Sequence, residues 1–428
     1  MPISYDRARE LALRLRRGLS LDVLKGRLAP RDPELHPPPP RVPGQAQWSE
    51  EARAGRIEFL EARVGELPNL GARAEELDPA TLKGNIENYI GMTQIPTGVI
   101  GPLRVNGLHA AGDYYVPLAT SEGALVASFD RGARLITESG GVATLVTTEQ
   151  VQRAPGFVFA SIAEAALFAA WSVEQFERFR EVAATATKHG QLVDMQTHIE
   201  ANHVYLIFAY YTGDAAGQNM VTFCTAAVCA DLLERTPVTP VTWFLEANMS
   251  GDKKATALSF ISTRGRNATA EVRLPAALVE KRLHTSPARM AQYWRMSFIG
   301  GVQSGSIGVS GHISNGIAAL FLATGQDVAC VSEASVGITR MEVEDDGSLY
   351  AAVSLPNLIV GTVGGGTRLP TAAECLRILD CVGADRASRL AEICAAVALA
   401  GELSIVGALC AGDFARAHEV YGRHKSRR

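Results

Sequence analysis

The pattern of hydrophobic and polar positions changes several times along the chain. Residues 1–30 place leucines among basic residues at helical spacing, and residues 48–70 carry a second helical pattern rich in Glu and Arg. The proline run HPPPPRVPG at 36–44 lies between them and predicts an extended connector. We therefore expect residues 1–72 to form a helical N-terminal segment that serves packing or oligomer contact rather than chemistry.

Beyond residue 80, short β-like runs alternate with helices. IPTGVIGPLRVNG at 95–107 predicts a strand–turn–strand, and TSEGALVASFDRGARLI at 120–136 predicts a helix with small residues on one face. Strand and helix patterns then alternate over 155–245, which indicates a compact α+β insertion. After residue 270 the pattern is helical, becomes β-rich at 337–363 and closes with helices. The sequence predicts an α+β protein with two or three packed units in its 428 residues.

Composition argues against several classes of protein. The formal net charge is −4, so no general attraction for nucleic acid or anionic membrane is expected. The apolar stretch from Ala395 to Gly412 is interrupted by Glu402 and predicts a buried helix rather than a membrane span. The seven cysteines form no CxxC pair and no metal-ligand spacing, which favours buried free thiols in a reducing compartment. We expect a cytoplasmic protein with no metal, no nucleic-acid partner and no membrane.

Four ionisable residues stand in small-residue or turn-like settings that would hold a charge in place: Glu122, Lys253, Asp327 and His418. An acid, a fixed cation, a second carboxylate and a histidine are the groups needed to reduce an acyl thioester. Each also has a structural alternative. Lys253 suits a solvated loop, Glu122 suits the N-cap region of a helix, and His418 suits a solvated helix face. Asp327 follows an apolar helix, where a carboxylate is unfavourable, so a lysine partner would explain it.

Two glycine-rich stretches could expose backbone amides to a phosphate group. GDAAGQNM at 213–220 leads from a strand into a helix, where amides could bind a pyrophosphate. GTVGGGT at 361–367 lacks GxGxxG spacing after a strand, so a Rossmann site is not indicated. Either stretch taken alone could equally be a tight turn.

Taken in order, these segments resemble hydroxymethylglutaryl-CoA (HMG-CoA) reductase. The matching pieces are ENYIGMTQIPTGVIGPL, PLATSEGALVAS, GDAAGQNM, DKKATA, GHISNGIAALFLATGQD, LPNLIVGTVGGGT and LAGELSIVGALCAG followed by His418. The match runs from about residue 80 to 425. The intact DKK triplet is similar to the branch found in eukaryotes, archaea and some bacteria.

The resemblance implies a fold and an assembly. A large domain at 73–154 and 246–410 would be built around a central helix and bind coenzyme A. An inserted ferredoxin-like small domain at 155–245 would bind the nicotinamide cofactor, and 411–428 would be a mobile C-terminal helix or flap. The minimal unit would be a homodimer, or a dimer of dimers, with active sites between subunits.

Carried over residue by residue, the resemblance also implies an activity. The chain would reduce HMG-CoA to mevalonate and free coenzyme A with two NADPH, through a hemithioacetal and an aldehyde. Lys253 would stabilise the carbonyl oxygen in both hydride transfers, and Asp327 would hold Lys253 and tune Glu122. Glu122 would supply the proton when aldehyde becomes alcohol. His418 would protonate the coenzyme A thiolate after the first reduction.

The same resemblance implies three sets of binding residues. Those for the acyl group are Arg153, Glu246, Asn248, Asp252, Lys254, Arg295 and Asn315. Those for coenzyme A are Glu87, Asn88, Ser128 and Arg131. Those for the dinucleotide are Lys188, Asp214, Ala215, Gly217, Gln218, Asn219, Met220, Gly364, Gly365, Gly366 and Thr367. Lys188 favours NADPH over NADH, because it would meet the 2′-phosphate, and no metal is implied.

Two segments depart from the family pattern. Glu246 and Ala247 replace the usual serine and glycine ahead of Asn248, and Met296, beside Arg295, occupies the place of a lysine that meets the free carboxylate of the substrate. Each lost charged contact would disfavour an anionic acyl group by about 1–3 kcal/mol. Two alternatives therefore stay open. One is a reductase of the same mechanism for another acyl thioester, and the other is a non-catalytic acyl-CoA or dinucleotide sensor.

Overall fold

The computed structural model describes residues 19–44, 49–70 and 92–412, together with the single residues 9, 13, 47, 82, 85 and 86. Within these residues the α-helices are α1 (Leu21–Leu28), α2 (Glu50–Val64), α3 (Leu125–Glu138), α4 (Ile162–Glu174), α5 (Phe176–Ala186), α6 (Gln218–Arg235), α7 (Ala276–Leu283), α8 (Pro287–Ser304), α9 (Ile313–Thr324), α10 (Val331–Ala334), α11 (Pro370–Ile378) and α12 (Ala387–Ala411). The strands are β1 (Thr97–Gly107), β2 (Ala111–Ala119), β3 (Val142–Arg153), β4 (Gly156–Val158), β5 (Gln191–Glu200), β6 (His203–Tyr211), β7 (Thr242–Phe244), β8 (Gly265–Leu274), β9 (Ile338–Val343) and β10 (Leu349–Leu358). The predicted mixture of helix and sheet is confirmed.

The strands form one ten-stranded sheet in the order β7-β4-β6-β3-β8-β10-β9, with β1 and β2 joined beside β3 and β5 beside β6. Strand β3 connects the two regions, because its last residues pair with β6 and its earlier residues pair with β8. Strands β7, β4, β6 and β5 pair antiparallel in that order, with helices after β4 and after β6. This is the split βαβ arrangement of a ferredoxin-like unit. The predicted domain boundaries themselves stay predictions.

The described part of the N-terminal segment packs against this sheet. Buried Arg104 of β1 donates to the carbonyl of His36 at 2.7 Å, and the Tyr115 hydroxyl of β2 donates to the carbonyl of Pro40 at 2.5 Å. The proline connector is therefore fixed along β1 and β2. The predicted oligomer contact of this segment stays a prediction, and most of residues 1–18 lie outside the described part of the chain.

Helix α12 forms the centre of the core, and nearly all of its side chains are buried. A Cβ atom at Gly132 of α3 would lie 1.9 Å from the Ala400 carbonyl oxygen, so the two helices cross at a distance that only glycine permits. The small residues predicted on one face of α3 therefore allow α3 to pack closely against α12. By length and composition α12 could cross a membrane, but 89% of its apolar stretch is buried within the described protein. The prediction of a buried helix is confirmed.

Two buried carboxylates on α12 hold neighbouring loops by their backbone amides. Glu402 accepts hydrogen bonds from Gly311 and His312, both at 2.6 Å, and so fixes the start of α9. Glu392 accepts from the amides of residues 109–110 in the turn between β1 and β2. Burial raises the pKa of each carboxyl to about 7. The glutamate that interrupts the apolar run is thus an anchor for a second helix.

Two predicted elements differ from the structure. Within residues 95–107, Thr97–Gly107 form one continuous strand, with an irregular register between Ile100 and Leu103, and the turn comes only after Gly107. The helix predicted from residue 120 begins at Leu125, because Ala124 adopts a left-handed conformation with φ of 70°. All seven cysteines are free and buried as predicted.

The buried carboxyl of Glu402 leads to a prediction about thermal stability. Its folded pKa of about 7 lies above its ordinary value of 4.5, so between these pH values the folded state keeps a proton that the unfolded state has released. The contribution of Glu402 to stability therefore falls as the pH rises from about 4.5 to 7. We expect Glu402→Gln to melt below the wild type at about pH 5 and the difference in Tm to narrow by about pH 8. A constant difference in Tm across this range would contradict the prediction.

Candidate active site

Lys253 lies in the loop that follows β7, and its ammonium faces a carboxylate. The Nζ atom is 2.8 Å from Oδ2 of Asp327, and both side chains are partly exposed. The hydrogen bond that the ammonium donates to Asp327 raises the pKa of Lys253, whereas burial acts to lower it. The backbone of Lys253 is left-handed, with φ of 55°, which is uncommon for a residue with a side chain. The structure therefore brings together the fixed cation and the carboxylate that the sequence proposed as partners.

The sequence suggested that Asp327 lies at the end of an apolar helix, but the structure places it beyond that end. Helix α9 ends at Thr324 because Gly325 follows in the left-handed conformation. Asp327 instead caps a 3₁₀ turn at Val328–Cys330, where its Oδ1 accepts from the amide of Ala329 at 3.0 Å. A carboxylate is favourable at the N-terminus of such a turn. The prediction that Asp327 lies unfavourably at a helix C-terminus was therefore wrong. One oxygen holds the turn while the other meets Lys253.

Glu122 lies in the loop between β2 and α3 and does not cap the helix. The N-cap residue is Ala124, with no side-chain cap, so the N-cap alternative for Glu122 was wrong. The exposed carboxylate of Glu122 accepts from the amide nitrogen of Asn315 at 3.0 Å. Two predicted site residues are thereby joined in the first turn of α9.

Within the described part of one chain, the predicted catalytic residues do not all lie together. From Asn315 to Thr324, α9 rises about 14 Å, and Asp327 follows its far end. Among the contacts of the described residues, none joins Glu122 to Lys253 or Asp327. A single chain therefore presents a Glu122–Asn315 pair and a Lys253–Asp327 pair at opposite ends of α9. His418 lies outside the described residues.

Arg153, a predicted ligand of the substrate carboxylate, is buried and already paired. Its NH1 atom is 3.1 Å from Oδ2 of Asp252 and 3.3 Å from Oε2 of Glu246. Oδ1 of Asp252 is in turn 2.5 Å from the guanidinium of Arg264. The charge of Arg153 is thus balanced by two carboxylates of the chain itself.

Glu246 organises the loop that leads to Lys253. Its carboxylate accepts from the amide of Asn248 at 2.7 Å, from the hydroxyl of Ser250 at 3.0 Å and from the amide of Ala154 at 3.2 Å. A serine in this place could not reach all of these groups together with Arg153. The departure from the family pattern at Glu246 therefore changes the internal bonding of the loop as well as its charge.

The other predicted cations of the acyl site are exposed. The Nζ of Lys254 donates to the carbonyl of Asp252 at 2.8 Å, and its side chain lies at the surface beside Lys253. Arg295 and its neighbour Met296 are exposed on α8. Among the described contacts none joins Arg295 to Arg153 or Lys254, so its predicted role stays a prediction.

The two glycine-rich stretches pack against each other. A Cβ atom at Gly361 would lie 2.6 Å from the amide nitrogen of Ala216, whereas Gly364 and Gly365 face open space. Helix α6 begins after left-handed Gly217 without a side-chain cap, which leaves amides of its first turn for an anion. These are features that a dinucleotide phosphate requires.

Other predicted dinucleotide residues border this place, with one exception. Exposed Lys188 lies two residues from Gly190, where a Cβ atom would lie 2.4 Å from the side chain of Met220 in α6. Asn219 is exposed in the first turn of α6. Asp214, however, accepts from the amides of residues 385–387 and caps α12, so its carboxylate is engaged in the fold.

The predicted coenzyme A residues are only partly described. The Ser128 hydroxyl lies 2.9 Å from that of Ser404 in α12, and the Arg131 guanidinium donates to the carbonyl of Ser404 at 2.7 Å. Both side chains thus join α3 to the core helix. Glu87 and Asn88 lie outside the described residues. Within the described chain, no group of three or more His, Cys, Asp or Glu side chains is arranged to hold a metal ion.

Sequence reasoning missed two buried residues of the site. Arg264 donates to Asp252 at 2.5 Å and to the side-chain oxygen of Gln218 at 2.7 Å, so it connects the Lys253 loop with the start of α6. Glu333 is fully buried, and its Oε1 atom lies 3.9 Å from NH1 of Arg264. Arg264 in STRGR and the single glutamate of CVSEAS have no spacing that marks them as site residues. Only the folded chain brings them to the site.

Comparison with known proteins places the chain in a family. The family model described as hydroxymethylglutaryl-coenzyme A reductase matches residues 52–423 of the chain. The 3-hydroxy-3-methylglutaryl-coenzyme A reductase of Methanothermobacter thermautotrophicus is 43% identical over 94% of this chain and 98% of its own length. That of Methanocaldococcus jannaschii is 43% identical over 86% and 92%. The chain belongs to the hydroxymethylglutaryl-coenzyme A reductase family and is an oxidoreductase of the archaeal type.

The fold is also that of a more distant solved structure. The class II 3-hydroxy-3-methylglutaryl-CoA reductase from Streptococcus pneumoniae, bound to NADPH in open conformations, superposes with a TM-score of 0.66 at 19% identity. The match covers 85% of this chain and 97% of that one. The mixed fold predicted from the sequence is confirmed.

The Lys253–Asp327 pair leads to a prediction about proton affinity. Because the hydrogen bond that Lys253 donates to Asp327 is the main cause of its raised pKa, Asp327→Asn should lower this pKa. The measurement is an NMR titration of lysines labelled with ¹³C at Cε, with Lys254 in the same spectrum as internal control. An unchanged titration of Lys253 would mean that the pair does not form in solution.

Proposed function

We propose that the protein reduces HMG-CoA to mevalonate and free coenzyme A in a four-electron reaction that uses two NADPH. The observation that carries this proposal is the Lys253–Asp327 pair at 2.8 Å, next to loops suited to a dinucleotide. The Gly325 that precedes Asp327 packs backbone to backbone on Gly366, so the carboxylate and the glycine loop are parts of one surface. Membership of the family supports the same activity.

In this mechanism Lys253 stabilises the negative charge that develops on the thioester oxygen and later on the aldehyde oxygen. A cation that is fixed before the reaction needs no reorganisation, and such a group contributes about 100–1000-fold to the rate. Asp327 keeps the amine protonated, since it raises the pKa of Lys253. The ammonium is thereby available throughout the physiological range.

Two further residues handle protons. Glu122, held by Asn315, supplies the proton when the aldehyde becomes an alcohol. His418 protonates the departing coenzyme A thiolate, because an imidazole titrates near neutral pH. Both roles rest on the family resemblance.

The cofactor site is suited to NADPH, which when bound supplies the hydride. The uncapped start of α6 offers amides to the pyrophosphate, and the open Gly364–Gly365 backbone allows close approach. Lys188 provides a cation at the edge of this surface for a 2′-phosphate, which favours NADPH over NADH. Arg264 links the start of α6 to the Lys253 loop and so fixes the cofactor site relative to Lys253.

We propose that the working unit is a homodimer, or a dimer of dimers, in the cytoplasm. One chain presents Glu122 and Lys253 at opposite ends of α9, so a second copy can complete each site. Exposed apolar side chains near the Lys253 loop support an interface there, since Ile261 is 54% and Val328 is 49% exposed. Coenzyme A thioesters are the expected partner molecules, and no nucleic acid or membrane is part of the proposal.

A second candidate is a reductase of the same mechanism that prefers an acyl group without a free carboxylate. Arg153 is neutralised by Glu246 and Asp252, and exposed Met296 stands where the family has a lysine. Lys254 and Arg295 then remain as the exposed cations of this set. The acyl-carboxylate subsite is weaker in positive charge than the family pattern implies.

The first test removes the proposed oxyanion cation. With HMG-CoA and NADPH, Lys253→Ala should lower kcat about 100–1000-fold, because the developing charge loses its counterion. Lys281→Ala, at an exposed lysine of α7, is the matched control and should keep wild-type turnover. Full turnover by Lys253→Ala would contradict the mechanism. A wild type that binds both ligands without turnover would indicate a sensor.

The second test addresses the acyl group. Glu246→Ser should remove one of the two carboxylates paired with Arg153, and so lower the KM for HMG-CoA about 5–50-fold relative to acyl thioesters that lack a carboxylate. Steady-state kinetics on a panel of acyl-CoA substrates gives the ratio, with Glu280→Ser on α7 as the control. If the wild type prefers acyl groups without a carboxylate, the second candidate replaces the first. An unchanged KM ratio would mean that Glu246 does not restrain Arg153.

A further inference from the structure

We propose that Gln326 is a positioning residue that couples the 361–367 loop to the Lys253–Asp327 pair. This inference rests on the proposed function, in which that loop receives the dinucleotide and Lys253 stabilises the substrate oxygen. Gln326 is buried, so it acts through the two segments that it joins rather than by contact with a ligand.

The side chain of Gln326 bridges two backbone groups that are distant in the sequence. Its side-chain oxygen accepts the amide N–H of Gly361 at 2.8 Å, and its side-chain nitrogen donates to the carbonyl of Thr324 at 3.0 Å. A primary amide has one acceptor end and one donor end, and here each end meets the group it requires. One side chain thereby holds the start of the 361–367 loop to the end of α9.

The place of Gln326 in the chain connects this bridge to the proposed chemistry. The next residue is Asp327, whose Oδ2 lies 2.8 Å from Nζ of Lys253. The preceding residue is left-handed Gly325, where a Cβ atom would lie 2.3 Å from the carbonyl oxygen of Gly366. Residues 325–327 therefore pack on the loop by backbone, bind it by a side chain and carry the partner of the lysine.

The loop has a separate support beside Gly361. Buried Arg266 of β8 donates to the carbonyl of Val360 at 2.9 Å and so ties the loop to the central sheet. The bond to Gln326 instead ties the loop to the segment of Asp327. Loss of the Gln326 amide should therefore loosen this second connection while the sheet still holds the loop in its fold.

Hydride transfer explains why the connection matters. In the proposed function the loop sets the place of the nicotinamide, and Lys253 sets the place of the carbonyl oxygen. A misplacement of about 1 Å between reacting groups can cost about 100-fold in rate. A buried link from the loop to the partner of the lysine fixes the hydride donor relative to the polarised carbonyl.

The kinetic experiment removes the amide and keeps the side-chain volume. Gln326→Met loses both hydrogen bonds and should lower kcat about 10–100-fold, with the Kd for NADPH within about 3-fold, because the cofactor binds but is misaligned. Rates are taken per folded molecule, and the Kd is measured by nicotinamide fluorescence. A kcat within about 2-fold of the wild type would overturn the proposal.

A matched control separates positioning from folding. The buried hydroxyl of Thr137, near the end of α3, also bridges two backbone groups. It accepts the amide N–H of Arg104 at 3.0 Å and donates to the carbonyl of Pro102 at 2.8 Å. Thr137→Val should lower the Tm and leave kcat per folded molecule unchanged. Equal losses of kcat in Thr137→Val and Gln326→Met would overturn the proposal.

A second variant covers a failure of Gln326→Met to fold. Gln326→Asn keeps the amide but is too short to reach both backbone groups, so it should show the same loss of kcat. If neither variant folds while Thr137→Val does, Gln326 serves the fold alone and the positioning role is overturned.

A second readout needs no turnover. In protein with lysines labelled with ¹³C at Cε, saturating NADP⁺ should shift the Lys253 resonance, with Lys254 as internal reference. This shift should fall by about half or more in Gln326→Met, because the loop no longer acts on the segment of Asp327, and should persist in Thr137→Val. No shift in the wild type, or an equal shift in Gln326→Met, would overturn the coupling. A wild type that binds NADP⁺ without reducing HMG-CoA would overturn the proposed function, while the shift still decides the coupling.

Discussion

The site depends on one ion pair, that of Lys253 with Asp327. Neither partner is placed by a long helix or a central strand. Lys253 lies in a loop after a three-residue strand, and Asp327 begins a short 3₁₀ turn. The geometry of the pair must therefore come from the buried groups around the two loops. Asp252, which precedes Lys253, lies 2.5 Å from buried Arg264, and Arg264 lies 3.9 Å from buried Glu333. Buried charges are costly unless they are paired, and these groups are paired with one another.

The core helix α12 determines where the other parts of the site lie. Asp214 caps its first turn, Glu402 fixes the start of α9, and Ser404 receives Arg131 of α3. As a consequence, Asn315 lies in the first turn of α9 and Asp327 lies beyond its last turn. The same helix thus sets the position of Glu122, through Asn315, and of Lys253, through Asp327. The polar residues Glu402 and Ser404 of this apolar helix thus bind other elements of the fold to it.

The features that could be predicted from the sequence are those that depend on short segments or on the order of motifs along the chain. The buried helix around Glu402, the α+β insertion and the lysine partner of Asp327 were all visible in short segments. The start of α3 was placed five residues early, because the left-handed Ala124 has no signature in a run of small residues. Strand β3 was not identified, since its alternation of polar and apolar residues is incomplete. Strand β8 was overlooked although its residues from Ala268 to Leu274 alternate regularly.

Long-range contacts were beyond sequence reasoning. Arg264 meets Gln218 across 46 positions, and nothing in either segment marks the other. Glu246 was interpreted as a change in the acyl pocket, whereas its carboxylate is bonded within its own loop and to Arg153. Such corrections follow from hydrogen bonds that form only after the chain has folded. They alter the expected charge of the pocket without altering the proposed chemistry.

The most direct test of this account is a crystal structure of the assembled protein with HMG-CoA and the oxidised dinucleotide. We expect Nζ of Lys253 to lie within hydrogen-bond distance of both the thioester oxygen and Asp327, with Glu122 of either subunit near the same oxygen. A thioester oxygen bound elsewhere, with Lys253 directed into solvent, would contradict the central claim.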